Sequence, residues 1–164
     1  MRFDAVLPEV LVGSYPETVA DIESLWEEQL VTAVLNLQTD EDLERLECDW
    51  PCLEQTYRRL AIELHRRPVR DFDSDDLGRR LPDCVETLRN LLDLGHVVYV
   101  HCTAGLGRSA NVVIAYLHWV QGLPLEEAIR KVTEPHPCLP NAEAIRAASA
   151  RAQQRLGAQA DSDG

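Results

Sequence analysis

The 164-residue sequence predicts a single-domain α/β fold, a central and mostly parallel sheet flanked by helices. Short apolar runs alternate with amphipathic stretches along the chain, the pattern of strands joined by crossover helices. Residues 97–100 (Val-Val-Tyr-Val) are apolar or aromatic without interruption, as in a central strand covered on both faces. No internal repeat and no linker marks a second unit, and the length is enough to bury a core. One domain is therefore expected over residues 1–156, with a small, polar, frayed tail over 157–164.

Residues 8–14 read as a first strand ending in a turn. Thr18 or Asp21 caps a helix on which Ile22, Leu25, Trp26 and Leu30 share an apolar face. Residues 31–37 form a second strand, followed by an acidic helix over 40–47 and a break at Trp50-Pro51. Tyr57, Leu60 and Ala61 fit a short helix, and Ile62 opens a third strand. Residues 71–80 read as a polar loop with four aspartates. Residues 81–94 then form a helix, with Pro82 in its first turn and Gly95 at its end. After the 97–100 strand come helices over 107–120 and 125–132, and a last one capped by Asn141 that runs to 156. Trp26 and Trp119 both read as core.

The chemistry concentrates where the 97–100 strand ends. His101-Cys102 leads into Thr103, Ala104, Gly105, Leu106 and Gly107, and Arg108-Ser109 opens the next helix. Gly105 and Gly107 let the backbone curl so that several N–H groups converge, and the helix adds the positive end of its dipole. A phosphate dianion fits that field, with Arg108 as a planar, permanently charged clamp. The same field suits a thiolate at Cys102, so one loop both binds phosphate and prepares a nucleophile. Ser109 is placed to hydrogen-bond the Cys102 sulfur or to cap the helix, and His101 to stabilise the loop. Cleavage of a phosphate ester also needs an acid for the leaving oxygen. Asp71, Asp73, Asp75 and Asp76 all stand in the polar loop, and composition does not choose among them. Phe72, beside them, is placed to line the rim of a pocket.

Sixteen basic residues against 28 acidic give a net charge of −12, which argues against nucleic-acid and anionic-membrane partners. No run is long and apolar enough to span a membrane, and residues 1–4 lack the start of a signal peptide. Five cysteines without framework spacing suit reduced thiols, hence a cytoplasmic setting. Neither they nor the histidines show zinc-ligand pairing, so no metal or other cofactor is expected.

The run from His101 to Ser109 resembles the signature of the cysteine-dependent protein tyrosine phosphatase superfamily, in its compact dual-specificity branch. Thr103-Ala104-Gly105-Leu106-Gly107 between Cys102 and Arg108 is similar to the loop of the glucan phosphatases of the laforin and plant starch-excess type. Asn36-Leu37-Gln38-Thr39, Arg70-Asp71-Phe72-Asp73, Trp119-Val120-Gln121-Gly122 and Cys138-Leu139-Pro140 also look like stretches of those enzymes. The resemblance covers roughly residues 7–150. It implies a cysteine-phosphatase fold, metal-free hydrolysis through a phosphocysteine, and Asp71 as the acid, with Asp73 second. It further implies that Phe72 touches a glucan chain, without the carbohydrate-binding module that some members carry. Phosphorylated glucan is the substrate expected first and a phosphoprotein second. A binding module that holds phosphorylated ligands without turnover is the alternative of another class.

Overall fold

The computed structural model describes residues 1–46 and 48–160. Its strands are β1 (Phe3–Leu7), β2 (Val10–Gly13), β3 (Ala33–Asn36), β4 (Glu63–Arg66) and β5 (Val98–His101). Its helices are α1 (Val19–Glu27), α2 (Asp40–Arg45), α3 (Trp50–Arg59), α4 (Ser74–Asp93), α5 (Arg108–Trp119), α6 (Leu125–Thr133) and α7 (Ala142–Ala160). The strands form one sheet in the order β1-β2-β5-β3-β4, parallel except for the antiparallel β1–β2 pair. The expected α/β architecture is the observed one.

β5 lies between β2 and β3, and both faces of this strand are covered. Val98 and Val100 pack on one side with Val12, Leu35, Leu88, Ile114 and Ile145, under α4, α5 and α7. Tyr99 points the other way, into a smaller core with Leu11, Ile22, Leu25 and Tyr57. Open α/β sheets bind ligands beyond the carboxyl ends of their strands, where the chain order reverses. Here that crevice lies just after His101, so the fold delivers Cys102 to the middle of it.

Several elements depart from the expectation. β1, an antiparallel edge strand, was not foreseen, because the 8–14 segment reads as the first strand by itself. Ile22 and Leu25 of α1 are buried, whereas Trp26 is 41% exposed, and Leu30, beyond the end of the helix, is 68% exposed with left-handed backbone (φ 58°). The predicted break at Trp50-Pro51 is instead the start of α3, capped by Asp49 through Cys52 N–H. α2 ends at Arg45, ahead of its predicted limit at Glu47, which lies outside the described residues.

The polar loop is also shorter than predicted. Asp73 caps α4, whose acidic first turn suits the positive end of its dipole. Pro82 therefore sits inside this helix. Lacking an N–H, it leaves the Gly78 carbonyl without its helical donor, and Arg151 Nη2 supplies one at 3.0 Å. α7 continues through Ala160, into the predicted tail; residues 161–164 lie outside the described residues.

Gly13, the last residue of β2, shows how tightly the sheet fits behind the crevice. A Cβ there would collide with the Arg2 carbonyl and the Tyr99 hydroxyl and come within 2.6 Å of Phe3 Cβ. Gly13→Ala is expected to destabilise the fold by about 1–3 kcal/mol, the usual effect of overpacking. Urea unfolding of the two proteins measures this difference.

Candidate active site

The loop from Cys102 to Gly107 is built by donors that hold its carbonyls from outside. His101 Nδ1 lies 3.2 Å from the Cys102 carbonyl and Tyr15 N–H donates to Thr103 O at 3.1 Å. His136 Nε2 meets Gly105 O at 2.7 Å, and Leu139 N–H donates to Leu106 O at 2.8 Å. Asn111 donates to Gly107 O through its backbone and, at 2.9 Å, its side-chain amide. In a trans peptide the next N–H points opposite to the carbonyl. Turning the carbonyls outward thus turns successive N–H groups towards a common centre, a concavity for an anion. Gly105 has φ 78°, and a Cβ on it would strike the backbone of Gly13 and Ser14.

Cys102 Sγ sits in this concavity, 2% exposed, accepting from Gly105 N–H at 3.3 Å and facing Ser109 Oγ at 3.5 Å. Ser109 makes that contact without serving as the N-cap of α5, a position held by Gly107. Arg108 is buried and fixed: Nη1 donates to Asp42 Oδ2 at 2.6 Å and to Val69 O at 2.9 Å, and Nη2 to Thr103 Oγ1 at 3.3 Å. Gln38 Nε2 donates to the same Thr103 hydroxyl at 3.2 Å. Among the described residues Arg108 Nε is buried with no acceptor, which suits a group that receives an anion.

The four aspartates separate by role. Asp71 Oδ2 lies 3.2 Å from Arg108 Nη2 at the wall of the pocket. Asp73 accepts from Asp76 N–H at 2.8 Å as the helix cap. Asp76 is buried, accepting from Arg70 N–H at 2.9 Å and pairing with Arg79 and Arg80. Asp75 is exposed in the first turn of α4. Geometry therefore puts Asp71, of these four, against the guanidinium. Phe72 follows it with φ 55°, a left-handed conformation unusual for a bulky residue, and its ring is 98% exposed. Phe72, Leu106 and Leu139 give the mouth of this pocket of about 340 Å³ an exposed apolar rim.

Sequence reasoning missed the residues that hold these parts in place. Asp42 forms a capping box with Thr39 at the start of α2, but its contact with Arg108 spans 66 positions. Asn111 and Asn141 likewise join the end of the Cys102–Gly107 loop to Leu139 and to Ser74 of α4. Nothing local signals either link.

The electrostatics follow from burial. Burial raises the Asp42 carboxyl, but hydrogen bonds from Arg108 and Thr39 and the charge of Arg108 outweigh it and hold the group below its ordinary value. Asp76 is lowered in the same way, burial opposed by Arg70 N–H, Arg79 and Arg80. Burial lowers His101 from 6.5 to about 4, against the bond to the Cys102 carbonyl and aided by the charge of Arg108. His101 is thus a neutral wedge beneath the loop, stacked on Tyr99 at 5.6 Å. Cys84, in the core, is pushed up to about 12 by burial and is no nucleophile.

Unfolded His101 binds a proton below 6.5 that the folded protein refuses until about 4. Its contribution is full above 6.5 and is lost as pH falls through that window. Asp42 and Asp76 add a further loss below their ordinary 3.8. The urea midpoint is expected to fall first across the histidine window, and His101→Asn to flatten that limb alone.

The sequence pattern of the dual specificity phosphatase catalytic domain matches residues 11–150. The chain is 37% identical over 145 residues to the chloroplastic phosphoglucan phosphatase LSF1 of Arabidopsis thaliana, covering 88% of this chain and 24% of that protein. It is 36% identical over 152 residues to the amyloplastic phosphoglucan phosphatase DSP4 of Castanea sativa, covering 92% and 40%. It thus spans well under half the length of these relatives. The crystal structure of PTPMT1 shares its fold, with a TM-score of 0.77 at 22% identity over 98% of this chain and 99% of that one. With the pattern matched over residues 11–150, through the Asp71 segment and the Cys102–Arg108 loop, this chain belongs to the dual specificity phosphatase family.

Proposed function

We propose that the protein is a cysteine-dependent phosphomonoesterase acting on phosphorylated glucan. The observation that carries the chemistry is the placing of Cys102 Sγ in a nest of inward N–H groups, with Arg108 and Asp71 against one another at its wall. In the first step the Cys102 thiolate attacks phosphorus; the S–P bond forms as the bond to the leaving oxygen breaks. Asp71, as the acid, gives that oxygen a proton, while Arg108 and the loop N–H groups hold the phosphoryl oxygens. In the second step Asp71 takes a proton from water, whose oxygen attacks phosphorus and expels the sulfur. The Ser109 hydroxyl, 3.5 Å from Sγ, stabilises the departing thiolate.

The glucan assignment draws on the two phosphoglucan phosphatases similar to this chain, and on Phe72, Leu106 and Leu139 at the mouth. An exposed ring beside the acid offers a face to the C–H side of a sugar. Family membership by itself equally accommodates a phosphoprotein substrate. The free thiols suit a reducing compartment, the cytoplasm in the simplest case.

Cys102→Ser is expected to abolish p-nitrophenyl phosphate hydrolysis, with circular dichroism checking the fold. Asp71→Asn should lower kcat on the order of 100-fold for a poor leaving group and less for nitrophenol. Asp73→Asn, which retains a capping side chain, should leave that ratio unmoved. Equal enzyme is then given phosphorylated amylopectin and a phosphotyrosine peptide. Phosphate release from the polymer, weakened by Phe72→Ala while p-nitrophenyl phosphate turnover holds, is the expected result. Release from the peptide alone would refute the glucan assignment and leave the chemistry standing.

A further inference from the structure

His136 lies just beyond α6, 4% exposed, with both ring nitrogens engaged. Nδ1 is 2.8 Å from Asp4 Oδ2 and Nε2 is 2.7 Å from the Gly105 carbonyl oxygen. A carboxylate and a carbonyl only accept. A neutral imidazole has one N–H, so it would leave one of these oxygens facing a nitrogen lone pair at contact distance. The doubly protonated ring satisfies both. The surroundings suit a cation: Asp4 supplies the counter-charge from β1, and His136 N–H bonds to Val132 O at the negative end of α6.

We propose that His136 is a positioning residue of the phosphate loop, acting as an imidazolium clamped between Asp4 and the Gly105 carbonyl. The inference rests on the reading of the loop as a phosphate site. Its effect is twofold. Holding Gly105 O outward aims the Leu106 N–H the opposite way, towards the concavity, while Gly105 N–H stays on Cys102 Sγ at 3.3 Å. The ring also places a full positive charge behind the loop, in a chain whose net charge is −12. Of the donors that hold the loop carbonyls described above, this is the one that carries charge. It also gives β1 a role: the edge strand brings in the counter-ion.

The test has two readouts on the full chain. Long-range nitrogen–proton NMR near pH 7 is expected to show both His136 ring nitrogens protonated; a single-proton tautomer would overturn the clamp. Asp4→Asn keeps the size of a half-exposed side chain and removes its charge. It should raise the calorimetric Kd for inorganic phosphate and lower kcat/KM for p-nitrophenyl phosphate by about tenfold each, the loss of one charge-assisted bond. An unchanged phosphate Kd with only a lower Tm means a merely structural contact and sinks the proposal. The NMR readout needs no turnover, so an inactive parent would count against the phosphatase reading and not against the clamp.

Discussion

The orientation of five peptide groups, from Cys102 to Gly107, is the constraint on which the rest of the structure depends. An anion nest needs its N–H groups inward, and each outward carbonyl must then find a donor or remain buried and unsatisfied. The donors come from far apart in the chain: Tyr15 after β2, His101 at the end of β5, Asn111 on α5, His136 and Leu139 around α6 and α7. The fold thus surrounds the loop, and the parallel sheet with a central β5 is the arrangement that lets it do so. Gly105 meets the same demand sterically, since its Cα lies against Gly13 with no room for a side chain.

Arg108 poses the opposite problem, because a buried guanidinium needs partners and yet must keep some donors for substrate. Asp42 and Val69 O take Nη1 and, among the described residues, leave Nε buried without an acceptor. Removing either charge of such a pair strands the other in a poorly solvated place. Asp42 therefore fixes the direction of the fork more than it adds stability. The Asp71 segment is held with similar economy of contacts: Asp76 anchors Arg70 N–H, Asp73 caps α4, and Asn141 reaches Ser74 Oγ at 2.9 Å. Asp71 thus projects from a segment pinned on both sides, and Phe72 accepts a left-handed backbone at its tip.

What was legible in the sequence was local. The apolar run before Cys102, the two glycines and Arg108 announce strand, turn and helix within a dozen positions, and the structure agrees. Asp73, Asp75 and Asp76 were misread as loop because a capping residue with an acidic first turn has the same composition as a solvated loop. Only the neighbours distinguish them: Asp73 meets Asp76 N–H, and Asp76 meets Arg70, Arg79 and Arg80. Trp26 was misread because helical periodicity places a residue on a face without saying where the core ends. Asp42, Asn141 and His136 were invisible as site residues, since each acts on a partner at least 30 positions away. β1 was hidden because residues 8–14 read as the first strand by themselves; its partner β2 is local, and only the bond of Asp4 to His136, 132 positions on, is a long-range fact.

The charge of the chain bears on which phosphate ester reaches this site. A net −12 repels polyanions at long range, and the nest, the helix dipole, Arg108 and the Arg70 side chain at the pocket wall act against that field close in. A phosphorylated peptide rich in acidic residues would bring many charges into the adverse field for one phosphate. A glucan is otherwise neutral and brings only its isolated phosphates, so the repulsion it meets is confined to the group that the nest neutralises. The rim matches this difference. Phe72, Leu106 and Leu139 present apolar surface on which a sugar can lay its C–H face. Long-range repulsion and short-range stacking thus work in the same direction, and both support the proposed reading of a neutral polymer with sparse phosphates over an acidic chain.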